Sequence, residues 1–296
     1  MRVDDVLAVN AGVVCLRDYP TLRSAWTQHL ASGRLIRVLP GVVLDAELAD
    51  EPLAWMRAVH RWDPNAVLAG AAAARLTFAP GSRPKQVLVY ARTKLADRGL
   101  VRFHRHRLPP DLTMWRHGVH VTSPAVTALT AALAGDYETA TAALRERAAR
   151  QDTLQEAARR LLVRPRDQLD RALVDLSGNP WSVAEVEAHR LFRAAGIRGW
   201  VGNHEVVAGG QAFCLDIALP ESRTAFEINS FEFHSGREAM MRDARRANLL
   251  ALAGWRQYVL LPTQITNDPH ETIEFIRNVV WARQRGARGT GEAMEF

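Results

Sequence analysis

Asp216 and Glu227 are the residues of this sequence whose types and spacing point most directly to chemistry. They lie in two alternating runs, Ala212 to Leu219 and Thr224 to Ser230, separated by the turn-forming Pro220-Glu221-Ser222-Arg223. The first run puts Phe213, Leu215 and Ile217 on one side and Cys214, Asp216 and Ala218 on the other. The second puts Phe226 and Ile228 on one face and Ala225, Glu227 and Asn229 on the other. If Leu219 pairs with Thr224, Asp216 falls opposite Glu227. Like charges in directly opposed positions destabilise a sheet. Either one acid keeps its proton at neutral pH, or a divalent cation neutralises both. Carboxylate oxygens suit Mg²⁺ or Mn²⁺ better than zinc. A cation held there can stabilise charge developing on a phosphodiester and activate a water. Asn229 shares the face and can offer an amide oxygen or position that water. Glu185, on a preceding helix, is a third acid within reach of such a sheet. The plain alternative is a polar hairpin face with solvent-screened acids.

The elements that must position these residues are legible in outline. Ser182 can cap a helix running through Gly196, with Glu185 at the third helical position of a capping box. A strand from Trp200 to Val207, a Gly209-Gly210 turn and the hairpin come next. A helix from about Arg237 to Leu252, a strand in WRQYVLL and a helix from Pro269 to Arg283 complete the order α-β-β-β-α-β-α. On the Arg237 helix, Arg242, Arg245 and Arg246 fall on one face, opposite Met241, Ala244 and Leu252. Three guanidinium groups there could hold a phosphate backbone, or could form a solvated face with Asp243 as counter-charge.

Upstream, DDVLAVNAG and YPTLRSAWTQHLASG read as two helices, the second with Leu22, Ala25, Trp26 and Leu30 at helical spacing. RLIRVLPGVVL reads as two short strands around Pro40-Gly41. Helix, helix and ribbon suggest a winged helix-turn-helix over residues 1–48, with Arg23, Arg34 and Arg37 available to phosphates. A helical cap on the next domain is the alternative. Residues 49–135 read as a mixed α/β companion: a helix from Pro52 to Arg61, an Ala-rich helix in AVLAGAAAARLTF, and strands in KQVLVYA and VRFHRHRL. Residues 136–178 read as a charged helical connector, ended by the break LSGNPW, and residues 179–296 as the domain carrying the acids.

Composition bounds what the whole can be. The chain has 296 residues, 48% of them apolar and 24% charged, with a formal charge of +6. That length suffices for two domains with separate cores. Nothing approaches the roughly 18 uninterrupted apolar residues of a membrane span, and the N-terminus lacks a secretion signal's apolar core. Cys15 and Cys214 have no metal-type spacing, and a reducing, cytoplasmic setting is the expectation. Lys85 and Lys94 are the only lysines, so the basic excess is carried by arginine. Codon bias or bidentate phosphate binding accounts for it equally well. The sequence holds no phosphate-cradling P-loop, no G-x-S-x-G elbow and no Cys-x-x-Cys pair, which leaves NTPase, serine hydrolase and zinc-finger readings without support.

Taken together, SVAEVEAHRLFRAAGI, CLDIALPESRTAFEINSFEFH and RDARRANLLALAGWRQYVLL resemble the PD-(D/E)XK nuclease superfamily over about residues 178–284. The resemblance is nearest to the domain of unknown function related to very-short-patch-repair endonucleases. It implies an αβββαβ restriction-endonuclease-like core within an α+β or α/β chain. In it Glu185 takes the acid of the first helix, and Asp216 and Glu227 take the metal-binding acids of the hairpin. Asn229 stands where the superfamily has Lys and this branch usually Asp. His234 matches a histidine after the hairpin, read as a general acid or phosphate contact, and Arg242 to Arg246 match a basic stretch. The departure at Asn229 matters: Asn can hydrogen-bond a nucleophilic water but neither offsets its charge nor adds to the metal's ligand charge.

GVVCLRDYPTLRSAWTQHLASGRLIRVLPGVVL similarly resembles the winged-helix start of AbiEi-type antitoxins, through Gly33-Arg34-Leu35-Ile36-Arg37-Val38-Leu39-Pro40-Gly41-Val42-Val43. Relatives of that kind bind operator DNA and repress their own transcription. Two functions stand as expectations. One is a Mg²⁺- or Mn²⁺-dependent endonuclease on double-stranded DNA, with Glu185, Asp216, Glu227, Asn229 and His234 at its catalytic site. The other is an inactive DNA-binding regulator or antitoxin, whose further partner is a cognate toxin or a second copy of the chain.

Overall fold

The computed structural model describes residues 2–93, 95–104, 108–163, 165–228 and 237–289. It is a mixed α+β protein with three sheets among those residues, and it divides into two compact units, Met1–Leu173 and Val174–Phe296.

The first unit begins α1 (Val3–Val9), β1 (Val13–Cys15), α2 (Arg23–Ala31), β2 (Leu35–Leu39) and β3 (Val42–Asp45). The ribbon Leu35–Asp45 forms as expected. It gains a strand that the sequence pattern does not suggest, β1, giving the antiparallel order β1-β3-β2. Trp26, Leu35 and Val43 are buried against α1 residues Val3, Val6 and Leu7, with Leu22, Ala25 and Leu30 packed around them. The other face of the same ribbon, through Val38, Val42 and Leu44, shares a core with Trp55, Ala58 and Val59 of α3 (Pro52–Trp62) and with Leu68, Val87 and Val121.

Those last three residues belong to a five-stranded sheet. The chain runs β4 (Val67–Ala69), α4 (Gly70–Leu76), β5 (Val87–Tyr90), β6 (Val101–His104), β7 (Thr113–Arg116) and β8 (Val119–Thr122), and the strands are ordered β6-β5-β4-β8-β7. The Ala-rich segment is not one helix. Val67-Leu68-Ala69 is the central strand, and the helix begins only at Gly70, whose φ of +56° makes the corner. Burial between strands outweighs the helix preference of alanine here. The hairpin β7–β8 has no clear signal in the sequence. Helices α5 (Pro124–Leu133), α6 (Tyr137–Arg145), α7 (Gln151–Arg160) and α8 (Arg166–Leu176) come next, and α8 runs across the boundary between the units.

The second unit contains α9 (Val183–Ala194), β9 (Val201–Ala208), β10 (Gln211–Leu219), β11 (Thr224–Ile228), α10 (Arg237–Leu252), β12 (Arg256–Leu260), α11 (Pro262–Asn267) and α12 (Pro269–Gly289). Its sheet order is β12-β11-β10-β9, antiparallel except for the β11–β12 pair. Gly209 and Gly210, at φ +55° and +76°, make the tight turn between β9 and β10 that only glycine adopts cheaply. On one face of the sheet Ile217, Leu219, Phe226 and Leu260 pack with Ala188 and Phe192 of α9 and Ile276, Val279 and Val280 of α12. On the other, Leu215, Ala218 and Ala225 pack with Leu250 of α10.

The register of the hairpin is the expected one, with Leu219 opposite Thr224 and Ile217 opposite Phe226. The expected faces are not fully kept. Leu215 packs toward α10 while Ile217 packs toward α9 and α12, so strict alternation breaks at Asp216. The break has a local cause on β9. Leu215 pairs with His204 and Ile217 with Gly202, while Asn203 and Asp216 between them drop out of the ladder, Asn203 taking φ +48°. Asparagine tolerates that left-handed conformation better than most side chains do. The face assigned to α10 is corrected as well. Met241 and Leu252 are exposed, and the helix rests on the sheet through Leu249 and Leu250, with Arg246 one turn earlier turned toward the sheet. No helix among the described residues is long and apolar enough to cross a membrane.

Candidate active site

Three acids of the second unit come together electrostatically. Glu185 sits in the first turn of α9, Asp216 at the break in β10 and Glu227 near the end of β11, and the charges of Glu185 and Asp216 both act on Glu227. Each element fixes its acid differently.

Glu185 is held by the start of its helix. Ser182 Oγ accepts from the Glu185 backbone N–H at 3.2 Å and donates to Glu185 Oε1 at 2.9 Å. Glu185 Oε2 accepts from the Trp181 backbone N–H at 2.8 Å, one residue before the cap, and from Asn203 Nδ2. Half of the capping box expected at Ser182 therefore forms, and the return bond goes to Trp181 instead of the cap residue's own amide. Burial raises the Glu185 carboxyl above the ordinary range, while the Trp181 and Asn203 donors pull the other way. Asn203 carries no motif in the sequence, yet it joins the helix start to the strand: its Nδ2 also donates to Asn179 O at 2.9 Å, and Cys214 Sγ donates to its Oδ1 at 3.5 Å. Only its left-handed backbone sets it apart.

Asp216 is half-buried. Its Oδ2 accepts from the Ile228 backbone N–H at 2.7 Å, tying β10 to β11 beside Glu227. Burial raises its carboxyl, opposed by the Ile228 donor and by the Arg246 charge.

Glu227 is the most constrained of the three. It is 5% exposed on a strand paired on both sides, so it cannot swing away. Its Oε2 accepts from Arg246 Nη2 at 2.9 Å, and Arg246 Nη2 also donates to Cys214 O at 2.7 Å. Its Oε1 is buried with no hydrogen-bond partner among the described residues. Burial, then the neighbouring Asp216 charge, pushes the Glu227 carboxyl up to about 7. The Cys214 thiol reports the same field: burial and the charges of Asp216, Glu185, Glu205 and Glu227 push it up to about 11.

An unsatisfied carboxylate oxygen in a protein interior costs roughly 1–3 kcal/mol, and more for a charged group. Partners that would remove that cost are a proton or a small hard cation. Among the described residues no group of three or more His, Cys, Asp and Glu side chains is arranged to hold a metal. Asp216 and Glu227 nonetheless fit Mg²⁺ or Mn²⁺ in donor type, with one carboxylate oxygen already unpartnered. Glu185 has both oxygens engaged by neutral donors, the Trp181 amide, Ser182 and Asn203.

Asn229 and His234 lie outside the described residues. Arg242 and Arg245 are exposed on α10, whereas Arg246 turns inward, so the three do not share one outward face. In the first unit Arg23, Arg34 and Arg37 are all exposed. Arg34 is committed to an ion pair with Asp4, and Arg37 lies on β2. No protein-family model matches this chain, and no curated protein matches it.

Proposed function

We propose that the second unit is a divalent-cation-dependent phosphodiesterase acting on DNA, and that the first unit holds duplex DNA. The observation that carries the reading is the Oε1 of Glu227, buried beside Asp216 with no partner among the described residues. The order α9-β9-β10-β11-α10-β12, with acids on the helix start and on both hairpin strands, supports the resemblance to PD-(D/E)XK nucleases. The order α1-β1-α2-β2-β3, with the sheet β1-β3-β2, likewise supports a winged-helix reading of the first residues.

In this reading Asp216 and Glu227 hold Mg²⁺ or Mn²⁺. When bound, such a cation supplies charge stabilisation to the phosphodiester and a more acidic water. Glu185 and Asn203 keep α9 and β9 locked beside Asp216, which fixes the spacing of the acids. Arg242 and Arg245 neutralise the flanking backbone phosphates.

The test is Mg²⁺- or Mn²⁺-dependent nicking of plasmid, linear and mismatched DNA by the full chain. Activity disappears in Asp216→Ala and Glu227→Ala. Wild-type protein that leaves all three substrates intact with either metal removes the enzyme reading. A second reading, a regulator or antitoxin that binds DNA without cutting it, is favoured by one observation: Arg246 already occupies Glu227 Oε2. It predicts a gel shift on the protein's own promoter that depends on Arg23 and Arg37 and is indifferent to Asp216→Ala.

A further inference from the structure

Arg246 already sits against the acids that an added cation would meet. Its Nη2 bridges Glu227 Oε2 and the Cys214 carbonyl, beside two further carboxylates. With the three acids ionised and Arg246 charged, the cluster carries −3 + 1 = −2, and exchanging the guanidinium for a divalent cation brings it to −3 + 2 = −1. Glu227 is 7% exposed in its side chain and pinned in a central strand, while Arg246 is 34% exposed at the edge of the pocket. Of the two partners, only the arginine can leave without unfolding the sheet. It stands on a helix whose neighbouring Arg242 and Arg245 already face solvent.

We propose that Arg246 is the resident counter-cation of this pocket and that a divalent cation enters by exchange, displacing the guanidinium from Glu227 Oε2. The proposal rests on the divalent-cation reading above and adds a residue to it. In the metal-free protein Arg246 offsets part of the repulsion among Glu185, Asp216 and Glu227. In the loaded protein the freed guanidinium joins Arg242 and Arg245 as a third phosphate contact, since a planar fork suits that role. Competition between the two cations sets the apparent metal affinity, and occupancy of the pocket becomes coupled to the presence of a phosphate for the arginine to reach.

The experiment is Mn²⁺ titration by calorimetry, without DNA, on full-length wild type, Arg246→Met, Arg246→Lys and Glu227→Gln, paired with melting temperatures with and without metal. Removing the competitor tightens Mn²⁺ binding about tenfold in Arg246→Met, the equivalent of 1.4 kcal/mol. The metal-free Arg246→Met protein melts below wild type, and Mn²⁺ closes the gap. Should that variant not fold, the side-chain Nε–H signal of Arg246 in ¹⁵N-arginine-labelled wild type, assigned by its absence from Arg246→Lys, carries the test. It must shift as diamagnetic Mg²⁺ is added. Mn²⁺ binding that is unchanged or weaker in Arg246→Met but lost in Glu227→Gln overturns the exchange and leaves the cation site standing. An unmoved Arg246 signal at saturating Mg²⁺ overturns it too. Binding that survives Glu227→Gln, or no binding by wild type and Arg246→Met alike, removes the cation site and the exchange together.

Discussion

Replacing Glu227 by Gln should make the protein more stable, and by an amount that grows with pH. A carboxyl held at about 7 in the folded chain and near its ordinary 4.5 when unfolded is a site where the native state prefers the proton. The folded pKa is raised above the unfolded one for an acid, so the penalty is absent below pH 4.5. It grows between 4.5 and 7 and is fully present above. From the 1.36 kcal/mol carried by each pKa unit, Glu227 costs about 3 kcal/mol at pH 8 and under about 1 kcal/mol at pH 5. The Arg246 contact is already included, since the value of about 7 is what remains after the guanidinium has lowered it. Gln keeps the shape and removes the charge. For a unit of this size the gain at pH 8 corresponds to a rise in melting temperature of roughly 10 °C. Scanning calorimetry of the full-length wild type and variant at pH 5 and pH 8, in chelator, measures it. A variant no more stable than wild type at pH 8, or a gain equal at both values, would refute the argument that Glu227 is a strained, desolvated acid.

Three further perturbations test other parts of the molecule. His189 is fully buried with neither ring nitrogen hydrogen-bonded among the described residues, and burial followed by the Arg193 charge pushes it down to about 3. Its neutral form is stabilised, so wild type loses stability as pH falls from 6.5 toward 3. His189→Leu should remove about 3 kcal/mol of that loss at pH 4, read by urea unfolding as a flatter stability profile than wild type's. Gly202→Ala would place a Cβ 2.0 Å from the Gly178 carbonyl oxygen and against the His189 ring, and should cost about 3 kcal/mol in the same assay. Arg23→Gln and Arg37→Gln should each lower the slope of log affinity for duplex DNA against log salt by about one. Arg34→Gln should lower it less, because Arg34 is already spent on Asp4.

What the sequence discloses and what it hides differ in range. The hairpin register is legible because Pro220 to Arg223 is turn chemistry between two alternating runs, and the observed Leu219–Thr224 pairing agrees with it. The ends of α10, the start of α9 and the Gly209-Gly210 turn are legible for the same local reasons. The side-chain switch at Asp216 is not, since it depends on Asn203, whose conformation is held by Asn179 and Glu185, 24 and 18 residues away. Helical spacing groups Arg246 with Arg242 and Arg245, because it cannot tell which of several arginines lies over a carboxylate. Met241 and Leu252 suggest a buried stripe, but the helix seats itself through Leu249 and Leu250. The strand at Val67 is masked by a run of alanines whose preference is helical until a sheet claims them.

The bond from the Ile228 amide to Asp216 gives the pocket a reporter of its own. That amide lies on β11, which with β10 makes the interior pair of the sheet order β12-β11-β10-β9. Its exchange with deuterium should therefore wait for the whole sheet to open rather than for local breathing. Neutralising Asp216 weakens the acceptor, and any occupant of the pocket pulls on the same oxygen pair. A single amide resonance thus tracks the state of the acids directly, without a substrate and without turnover.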